Sequence, residues 1–372
     1  MNILFLTQYY PFTEEIFAGI FIKQQAEIIS NHHNVTVLCF HVDDSWFSLF
    51  PKFQAKINKT SQLEEINLTL ARSIPFYNQA NYFLSTWIYA RRHLLKTKKF
   101  DCIHAHVAYP AGVMAFLFKK LLNIPYMLTE HTRIKSQSRS IFHKILIKAT
   151  YKQADKIIAV SSFLAKEIKE KFRLNPVVIP NVVDMSRFSM THAQPDRFEI
   201  GFIGNFNNTN KGLDVLLKAC RKIVFPFRLH IVGNGSLVEQ YKSMTVDLGI
   251  SDNCIFYGAM KTHDIPKFYA ALNLFVLASR YETFGIVLVE AMASGLPVIS
   301  TNCGGPADII TAQTGILVEV DNVEQMTDAI HKINDHYGEY NATIIRNYAG
   351  QKFGIDAFLA KILPLYHHHE RP

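Results

Sequence analysis

The sequence is poor in the features that mark disulfide-rich, zinc-binding and membrane-spanning proteins. Its five cysteines are scattered, with no Cys-x-x-Cys pair. They argue against a disulfide framework or a zinc site and favour a reducing, cytoplasmic compartment. No apolar run reaches the roughly 18 residues that a membrane span needs. The opening stretch MNILFLTQYYPF has neither a basic region nor a small-residue cleavage site, so we interpret it as a first strand and not a signal peptide.

Positive charge is concentrated in the first half of the chain. Residues 1–181 carry 23 Lys and Arg against 12 Asp and Glu, a net charge of +11, whereas residues 182–372 carry 16 against 19. A partner with negative charge is therefore to be sought in the first half. Solvated surface lysines would give the same count.

Short apolar, β-rich runs alternate with segments of 3.6-residue periodicity. The candidate strands are residues 2–7, 35–40, 101–106, 125–130, 156–161 and 176–181, then 198–204, 227–233, 254–259, 272–278, 296–301 and 315–320. Continuous Val, Ile and Leu runs joined by helices are typical of parallel sheets covered on both faces. The pattern predicts two doubly wound, Rossmann-like α/β domains in tandem.

The polar stretch 184–197 interrupts this alternation and predicts the join between the domains. The predicted domains are residues 1–183 and 184–350, and a helical segment, 351–372, is expected to cross back to the first domain. Open parallel sheets bind ligands at the carboxyl ends of their strands. Two such domains are expected to face each other across a cleft.

The first candidate binding loop follows a strand that ends at Gly204. A polar loop, NFNNTN, leads to Lys211 and Gly212, which open the next predicted helix. Glycines let the backbone approach a ligand, a helix N-terminus favours anions, and a lysine adds a point charge. The loop therefore suits a phosphate or diphosphate, although a lysine at a helix start is usually a solvated residue.

The second candidate is SRYETFGIVLVEAMASG, residues 279–295, a loop followed by a helix. Glu282 lies at the mouth of that helix, and Glu290 lies about 12 Å further along its axis. One extended ligand with two sets of hydroxyls could contact both carboxylates. Glu282 has the alternative role of a favourable charge near a helix N-terminus. Glu290 has apolar neighbours, and an unpaired buried carboxylate is costly.

Other candidates lie at further strand ends. Gly304–Gly305 form either an amide-rich helix start or an ordinary tight turn. Gly19 lies between the first strand and a helix, and His131 directly follows the strand PYMLTE. A histidine there could hydrogen-bond a sugar or phosphate, or it is structural. His104 and His106 share one face of a strand, but two ligands without a third make a poor metal site.

These motifs together resemble retaining glycosyltransferase family 4, whose members have the GT-B fold of two Rossmann-like domains. The resemblance rests on Glu282-x7-Glu290 within YETFG…VEAMASG, NKG after a Gly-ended strand, VIPNVVD at the domain join, TEH, and the tandem layout. It spans nearly the whole chain, and the Glu-x7-Glu block is its most specific part. It implies an acceptor-binding first domain and a second domain that binds a nucleotide-diphosphate sugar.

The resemblance also implies roles for residues at matching positions. Glu282 would contact the donor sugar's hydroxyls, and Glu290 would hold the nucleotide ribose. Lys211 would neutralise the donor diphosphate, and His131 would bind the sugar or β-phosphate from the other domain. The remaining donor-binding positions are Phe284 and Gly285 through their amides, Gly204, Asn205, Arg280 and Gly19.

Asn205 departs from the family pattern, which often has arginine at that position. The diphosphate charge would then rest on Lys211, on helix dipoles and on Arg280. No Asp-x-Asp occurs in the sequence, so we expect neither a metal clamp nor any other cofactor. In the implied front-face reaction the leaving phosphate would take the acceptor proton and configuration would be retained. Preorganised positive charge would stabilise the leaving group.

The basic first half suggests where the acceptor is found. One predicted helical stripe combines basic and apolar side chains, namely Lys144, Lys148 and Lys152 beside Ile141, Phe142 and Ile145, and residues 91–99 add a second basic cluster. Such a helix could rest on anionic lipid, or it packs on the core with a solvated face. The sharper hypothesis is peripheral contact with the cytoplasmic membrane face and a glycan or lipid-linked acceptor, in surface polysaccharide, lipopolysaccharide or glycolipid synthesis.

Three alternatives stay open at the level of sequence. Nucleotide-sugar 2-epimerases share the implied fold, but they lack the Glu-x7-Glu framing and need no separate acceptor. A degenerate nucleotide-sugar-binding relative without activity is compatible with Asn205. A basic nucleic-acid-binding protein is disfavoured, because the chain shows no recognisable nucleic-acid module and its basic residues do not alternate with exposed aromatics.

Overall fold

The computed structural model describes residues 1–11, 19–74, 78–134, 141–190 and 196–367. The chain divides into two compact units, the first made of residues 1–160, 164–179 and 359–372 and the second of residues 161–163 and 180–358. Pro195 of the predicted join, the side chain of Phe142 and the terminal residues 368–372 lie outside the described part of the chain. The domain boundaries given above stay predictions.

The first unit is built on one eight-stranded sheet. Its strands are β1 (Asn2–Thr7), β2 (Asn34–Phe47), β3 (Phe53–Lys59), β4 (Leu63–Arg72), β5 (Cys102–His106), β6 (Tyr126–Glu130), β7 (Lys156–Ala159) and β8 (Val177–Val178), in the order β3-β4-β2-β1-β5-β6-β7-β8. All neighbouring pairs are parallel except β3 and β4. Strands β5 and β6 are buried at every residue, as a sheet covered on both faces requires.

Helices connect most of these strands. They are α1 (Ile20–Ser30), α2 (Asn78–Tyr89), α3 (Val113–Leu122), α4 (Ile141–Gln153) and α5 (Ser162–Phe172). Helix α2 ends at Tyr89, and a single π-helical turn, Ala90–Leu94, follows it.

The sequence analysis missed β3 and β4. In β4 the alternating residues Ile66, Leu68 and Leu70 are buried, whereas β3 exposes six of its seven residues and shows no apolar period. The prediction also stopped β2 at residue 40, but β2 continues to Phe47. That is eight residues past Cys39, which pairs with the last residue of β1.

The second unit has a six-stranded parallel sheet in the order β11-β10-β9-β12-β13-β14. Its strands are β9 (Phe198–Ile203), β10 (Phe227–Val232), β11 (Cys254–Gly258), β12 (Leu274–Leu277), β13 (Val298–Thr301) and β14 (Gly315–Val318). Its helices are α6 (Leu213–Cys220), α7 (Val238–Asp247), α8 (Ile265–Ala270), α9 (Ile286–Ala293), α10 (Val323–Asp335) and α11 (Ala342–Phe353). All six strands predicted in this half are present.

The final helix, α12 (Ile355–His367), begins in the second unit, and its residues from 359 onward belong to the first. There the Tyr366 hydroxyl lies 2.6 Å from Nδ1 of His104. The two parallel α/β units confirm the predicted fold class. Within the described ranges, no helix is both long enough and apolar enough to cross a bilayer.

Candidate functional site

Two residues predicted to act together form an ion pair in the second unit. Nζ of Lys211 lies 2.7 Å from Oε2 of Glu282, and the two side chains are 26% and 17% exposed. Lys211 ends a 3-10 turn just before α6, and Glu282 lies on the loop that leads into α9. Two positively polarised helix N-termini therefore lie next to a single charge pair.

A neighbouring loop holds the backbone of Glu282 in place. Glu282 and Gly304 form an isolated parallel β-bridge, and the amide of Gly305 donates to the Glu282 carbonyl at 2.8 Å. Gly304 has φ +131°, and a Cβ there would lie 2.7 Å from the Glu282 carbonyl oxygen, so a side chain would displace the loop. Of the two alternatives for this stretch, the tight turn is the observed one, because only a four-residue 3-10 turn follows.

Arg280 is fixed by two carboxylates. Its guanidinium binds Asp214 in a bidentate manner, at 3.0 and 2.7 Å, and lies 2.8 Å from Asp321. These carboxylates raise the pKa of the guanidinium. They also neutralise its charge locally, so its predicted role with a diphosphate would compete with this network. Asp214 and Asp321 were not identified from the sequence, since neither is near Arg280 along the chain.

The loop between β9 and α6 is ordered by asparagine side chains. Oδ1 of Asn205 accepts from the amide of Asn207, and Oδ1 of Asn208 accepts from the amide of Asn210, both at 2.9 Å. Nδ2 of Asn210 donates to the carbonyl of Tyr281 at 3.0 Å. Asn205 is thus an exposed turn-forming residue, and this loop is tied directly to the Glu282 loop. Gly204 directly follows β9, and a Cβ there would lie 3.2 Å from Cβ and Cγ of Lys211.

Glu290 lies on α9, half-buried, with the Tyr269 hydroxyl donating to its Oε2 at 3.2 Å. Burial raises the pKa of Glu290 to about 7, and the Tyr269 hydrogen bond and the charge of Arg187 only partly oppose that shift. The carboxylate thus has few donors to stabilise its ionised form, and a ligand's hydroxyls would supply them. Tyr269 is a further candidate residue that the sequence analysis missed.

Phe284 and Gly285 precede α9 directly. The Phe284 side chain is buried and packs edge-on against Phe353, with ring centroids 5.8 Å apart. Only its backbone is therefore available to a ligand. Gly285, with φ +100°, is the N-cap of α9, where the first amides of a helix have no partner within the helix.

The remaining predicted residues, His131 and Gly19, belong to the first unit. Nε2 of His131 lies 3.0 Å from Nδ1 of His106, and the rings of His104 and His106 stack 4.3 Å apart. Burial lowers the pKa of His131 to about 3, so its ring is neutral at physiological pH. Within the described residues, Nδ1 of His131 and Nε2 of His106 are buried without a hydrogen-bond partner.

The buried carboxylate of Glu130 sets the backbone around His131. Its Oε1 accepts from the amides of His131 and Thr132 at 3.0 and 2.9 Å, and its Oε2 accepts from the Tyr151 hydroxyl at 2.6 Å. Glu130 is the middle residue of the TEH triplet, which the sequence analysis had noted as a motif without assigning a role to this glutamate. Gly19, with φ +81°, opens α1 so close to the preceding loop that a Cβ would lie 2.3 Å from the carbonyl of Tyr9.

Comparison with solved structures defines the fold. The sucrose-phosphate synthase of Thermosynechococcus elongatus is similar over 99% of this chain and 98% of its own, with a TM-score of 0.81 and 20% identity. Anabaena HepE in complex with UDP has a TM-score of 0.73 at 18% identity, over 99% of this chain and 100% of that one. The fold is GT-B, a glycosyltransferase fold.

Family comparisons define the class of protein. Residues 22–187 match the model described as Glycosyltransferase Family 4, and residues 188–349 match Glycosyl transferases group 1. An uncharacterized glycosyltransferase of Methanocaldococcus jannaschii is 31% identical over 242 residues, 64% of this chain and 67% of that protein. The chain belongs to glycosyltransferase family 4, which confirms the resemblance drawn from its motifs.

Proposed function

We propose that this glycosyltransferase moves a sugar, with retention of configuration and without a metal ion, from a nucleotide-diphosphate sugar to a glycan or lipid-linked glycan acceptor. The observation that carries the proposal is the ion pair of Lys211 and Glu282 before the N-terminus of α9. It combines a cation suited to a diphosphate with a carboxylate suited to sugar hydroxyls. The UDP that HepE binds supports a nucleotide donor.

In this mechanism the bond between the anomeric carbon and the diphosphate oxygen breaks, and the acceptor oxygen bonds to that carbon on the same face. The acceptor proton passes to the leaving phosphate. Lys211 and the first amides of α9 stabilise the charge that develops on the diphosphate, while Glu282 orients the sugar. Glu290 holds the ribose hydroxyls.

The partnerless Nδ1 of buried His131 supports its predicted role as a hydrogen-bond partner of the donor, since buried polar atoms rarely lack one. The expected roles of Gly19, Gly204, Asn205 and Arg280 stay predictions. The proposed location is the cytoplasmic face of a membrane, where a lipid-linked precursor of surface polysaccharide, lipopolysaccharide or glycolipid would be extended.

The first test is thermal shift of the purified protein with nucleoside diphosphates and their sugars, each with and without a chelator. We expect one base to raise the melting temperature, with no loss on chelation. No shift with any ligand at millimolar concentration would point to a degenerate relative, and a shift abolished by the chelator would refute metal independence.

The second test removes the carboxylate of Glu282. We expect Glu282→Gln to lower turnover with the identified donor by about 10²-fold or more, because one preorganised transition-state contact contributes roughly that much. The melting temperature should change little. Glu239→Gln, an exposed glutamate of the same unit, is the matched control. Near-wild-type turnover in Glu282→Gln would remove Glu282 from the site.

A further inference from the structure

Two buried histidine rings of the first unit form a hydrogen-bonded pair. His106 is the last residue of β5, and His131 directly follows the neighbouring strand β6. Nδ1 of His106 lies 3.0 Å from Nε2 of His131, and the two rings stack with their centroids 5.3 Å apart. The side chains are 0% and 7% exposed. The pair is therefore closed off from bulk water.

Neither ring of this pair is charged at physiological pH. Burial lowers the pKa of both histidines, that of His131 to about 3, and the neighbouring histidine charges act in the same direction. A neutral imidazole carries its proton on one nitrogen and accepts with the other. Of the two facing nitrogens, one must donate and the other must accept. The two rings therefore share one tautomer, and both are protonated either at Nδ1 or at Nε2.

The two outer nitrogens, Nδ1 of His131 and Nε2 of His106, distinguish these tautomers. Both are buried without a hydrogen-bond partner among the residues that the structure describes. If an oxygen of the nucleotide sugar binds His131, the Nδ1-protonated pair leaves only an acceptor nitrogen, on His106, unpaired. The Nε2-protonated pair would instead leave an unpaired N–H on His106. Among buried backbone groups, an orphaned N–H is the rarer of the two.

The chemistry of the ligand favours the same tautomer. An ionised phosphate oxygen only accepts hydrogen bonds, so a histidine that contacts it has to present an N–H. The Nδ1-protonated pair supplies that N–H on His131. In the other tautomer His131 would present a bare nitrogen, which could accept from a sugar hydroxyl but would repel a phosphate oxygen.

From this geometry we infer that His106 is a positioning residue, which holds His131 in the Nδ1-protonated form and so makes it a hydrogen-bond donor to the nucleotide sugar. His106 acts through His131 and not on the substrate itself. This inference deepens the proposed function and rests on it for the identity of the ligand. It adds the direction of the hydrogen bond and the residue that sets that direction.

His104 offers a matched control in the same stack of rings. It is equally buried, and its ring lies 4.3 Å from that of His106. Its Nδ1 lies 2.6 Å from the Tyr366 hydroxyl, and its Nε2 lies 2.7 Å from the Thr129 hydroxyl. Both nitrogens of His104 are thus occupied. Substituting His104 disturbs the same core and leaves the hydrogen bond between His106 and His131 in place.

The test is ¹⁵N NMR of the full chain labelled at histidine, because a protonated ring nitrogen and a bare one differ widely in chemical shift. His106→Asn and His131→Asn assign the two rings. We expect the rings to share a tautomer in the free protein, and His131 to be protonated at Nδ1 in the complex with the nucleotide sugar. Different tautomers in the free protein, or His131 protonated at Nε2 in the complex, would overturn the inference.

Three variants separate positioning from packing. His106→Phe keeps a ring in the stack and removes the nitrogen, so His131 should lose its fixed tautomer and turnover should fall by about tenfold or more, as the loss of a hydrogen bond to a charged group predicts. His106→Asn returns an amide donor and should recover part of the turnover. His104→Phe should keep the wild-type tautomer of His131 and the wild-type turnover. Equal losses in His104→Phe and His106→Phe would reduce His106 to a packing role and overturn the inference.

The spectrum of the free protein keeps this inference separate from the proposed function. A protein whose melting temperature responds to no nucleotide would refute the nucleotide-sugar donor. The shared tautomer of His106 and His131 would still be measurable in that protein, with matched rings as the expected result and unmatched rings as the contradicting one. The wild-type spectra decide equally if His106→Phe fails to fold.

Discussion

At the scale of single residues, the site depends on charges whose partners are far away in the chain. Lys211 and Glu282 are 71 residues apart and lie 2.7 Å from each other. Each could be named as a candidate from the sequence, because a lysine at a helix start and a glutamate at a helix mouth each have a local signature. The ion pair between them could not be predicted, nor could the ion pairs of Arg280 with Asp214 and Asp321. Such contacts follow from the packing of separate loops.

Removing the ammonium of Lys211 should weaken product binding. We expect Lys211→Ala to raise the dissociation constant of the nucleoside diphosphate by about tenfold or more, because a charge-assisted contact to phosphate contributes roughly 1.5–3 kcal/mol. Isothermal titration calorimetry measures it. Lys218→Ala, an exposed lysine of the same helix region, should bind normally, and unchanged affinity in Lys211→Ala would refute the assigned role.

Glu290 should make stability fall as pH rises. Its pKa is raised from 4.5 to about 7 in the folded protein, so between these values the native state holds more protons than the unfolded state. Stability attributable to this group is therefore lost between about pH 5 and pH 7.5. Glu290→Gln removes the titration, so its melting temperature relative to wild type should rise by a few degrees from pH 5 to pH 8.

The measurement is a series of thermal melts across that range. Glu239→Gln, in which the replaced side chain is 82% exposed, should track the wild type at every pH. A constant difference between Glu290→Gln and wild type would show that the native carboxyl ionises normally.

At the scale of elements, a strand was predictable where burial leaves a pattern. The continuous apolar runs of β1, β5 and β6 were recognised, and so were all six strands of the second unit. Strand β3 was missed because it is an edge strand with six exposed residues, which leaves no apolar period. Strand β4 did carry the alternation of Ile66, Leu68 and Leu70, but this short signal adjoins β3, which has none.

Arg346 stabilises the end of α9 from a neighbouring helix. It lies on α11, and its guanidinium donates to the carbonyl of Ala293, the last residue of α9, and to those of Phe188 and Met185 at 2.8 and 2.7 Å. These bonds satisfy a helix C-terminus and a turn at once.

We expect Arg346→Ala to destabilise the second unit by about 2–4 kcal/mol, because several charge-assisted hydrogen bonds are lost and their acceptors are left partly buried. Differential scanning calorimetry measures the effect, and Arg346→Lys should recover part of it. Arg221→Ala, at an exposed arginine, is the control. Equal melting temperatures for Arg346→Ala and Arg221→Ala would contradict this account.

At the scale of the whole molecule, the net charge of +8 is unevenly distributed, because the first 181 residues alone carry +11. The fold class and the family could be recognised from the sequence, because both depend on patterns that repeat along the chain. The extension of β2 beyond the end of β1 could not be predicted, since it depends on where two paired strands end relative to each other.

This asymmetry predicts a salt dependence. Partition of the wild-type protein onto anionic vesicles should fall steeply between 0.05 and 0.5 M NaCl, as the screening length shrinks from about 14 Å to about 4 Å. Flotation at stepped ionic strength measures it. Binding that does not change with salt would show that the lysines have no role and that exposed apolar residues such as Phe47, Leu49 and Phe50 attach the protein alone.

The ion pair of Lys211 and Glu282 has a consequence for turnover. In the proposed mechanism, a nucleoside diphosphate without its sugar would compete for Lys211 and leave the mostly buried Glu282 carboxylate with no new donor. The intact donor would bring hydroxyls that replace the lost ammonium contact. We therefore expect product inhibition to be weak relative to the affinity for the donor.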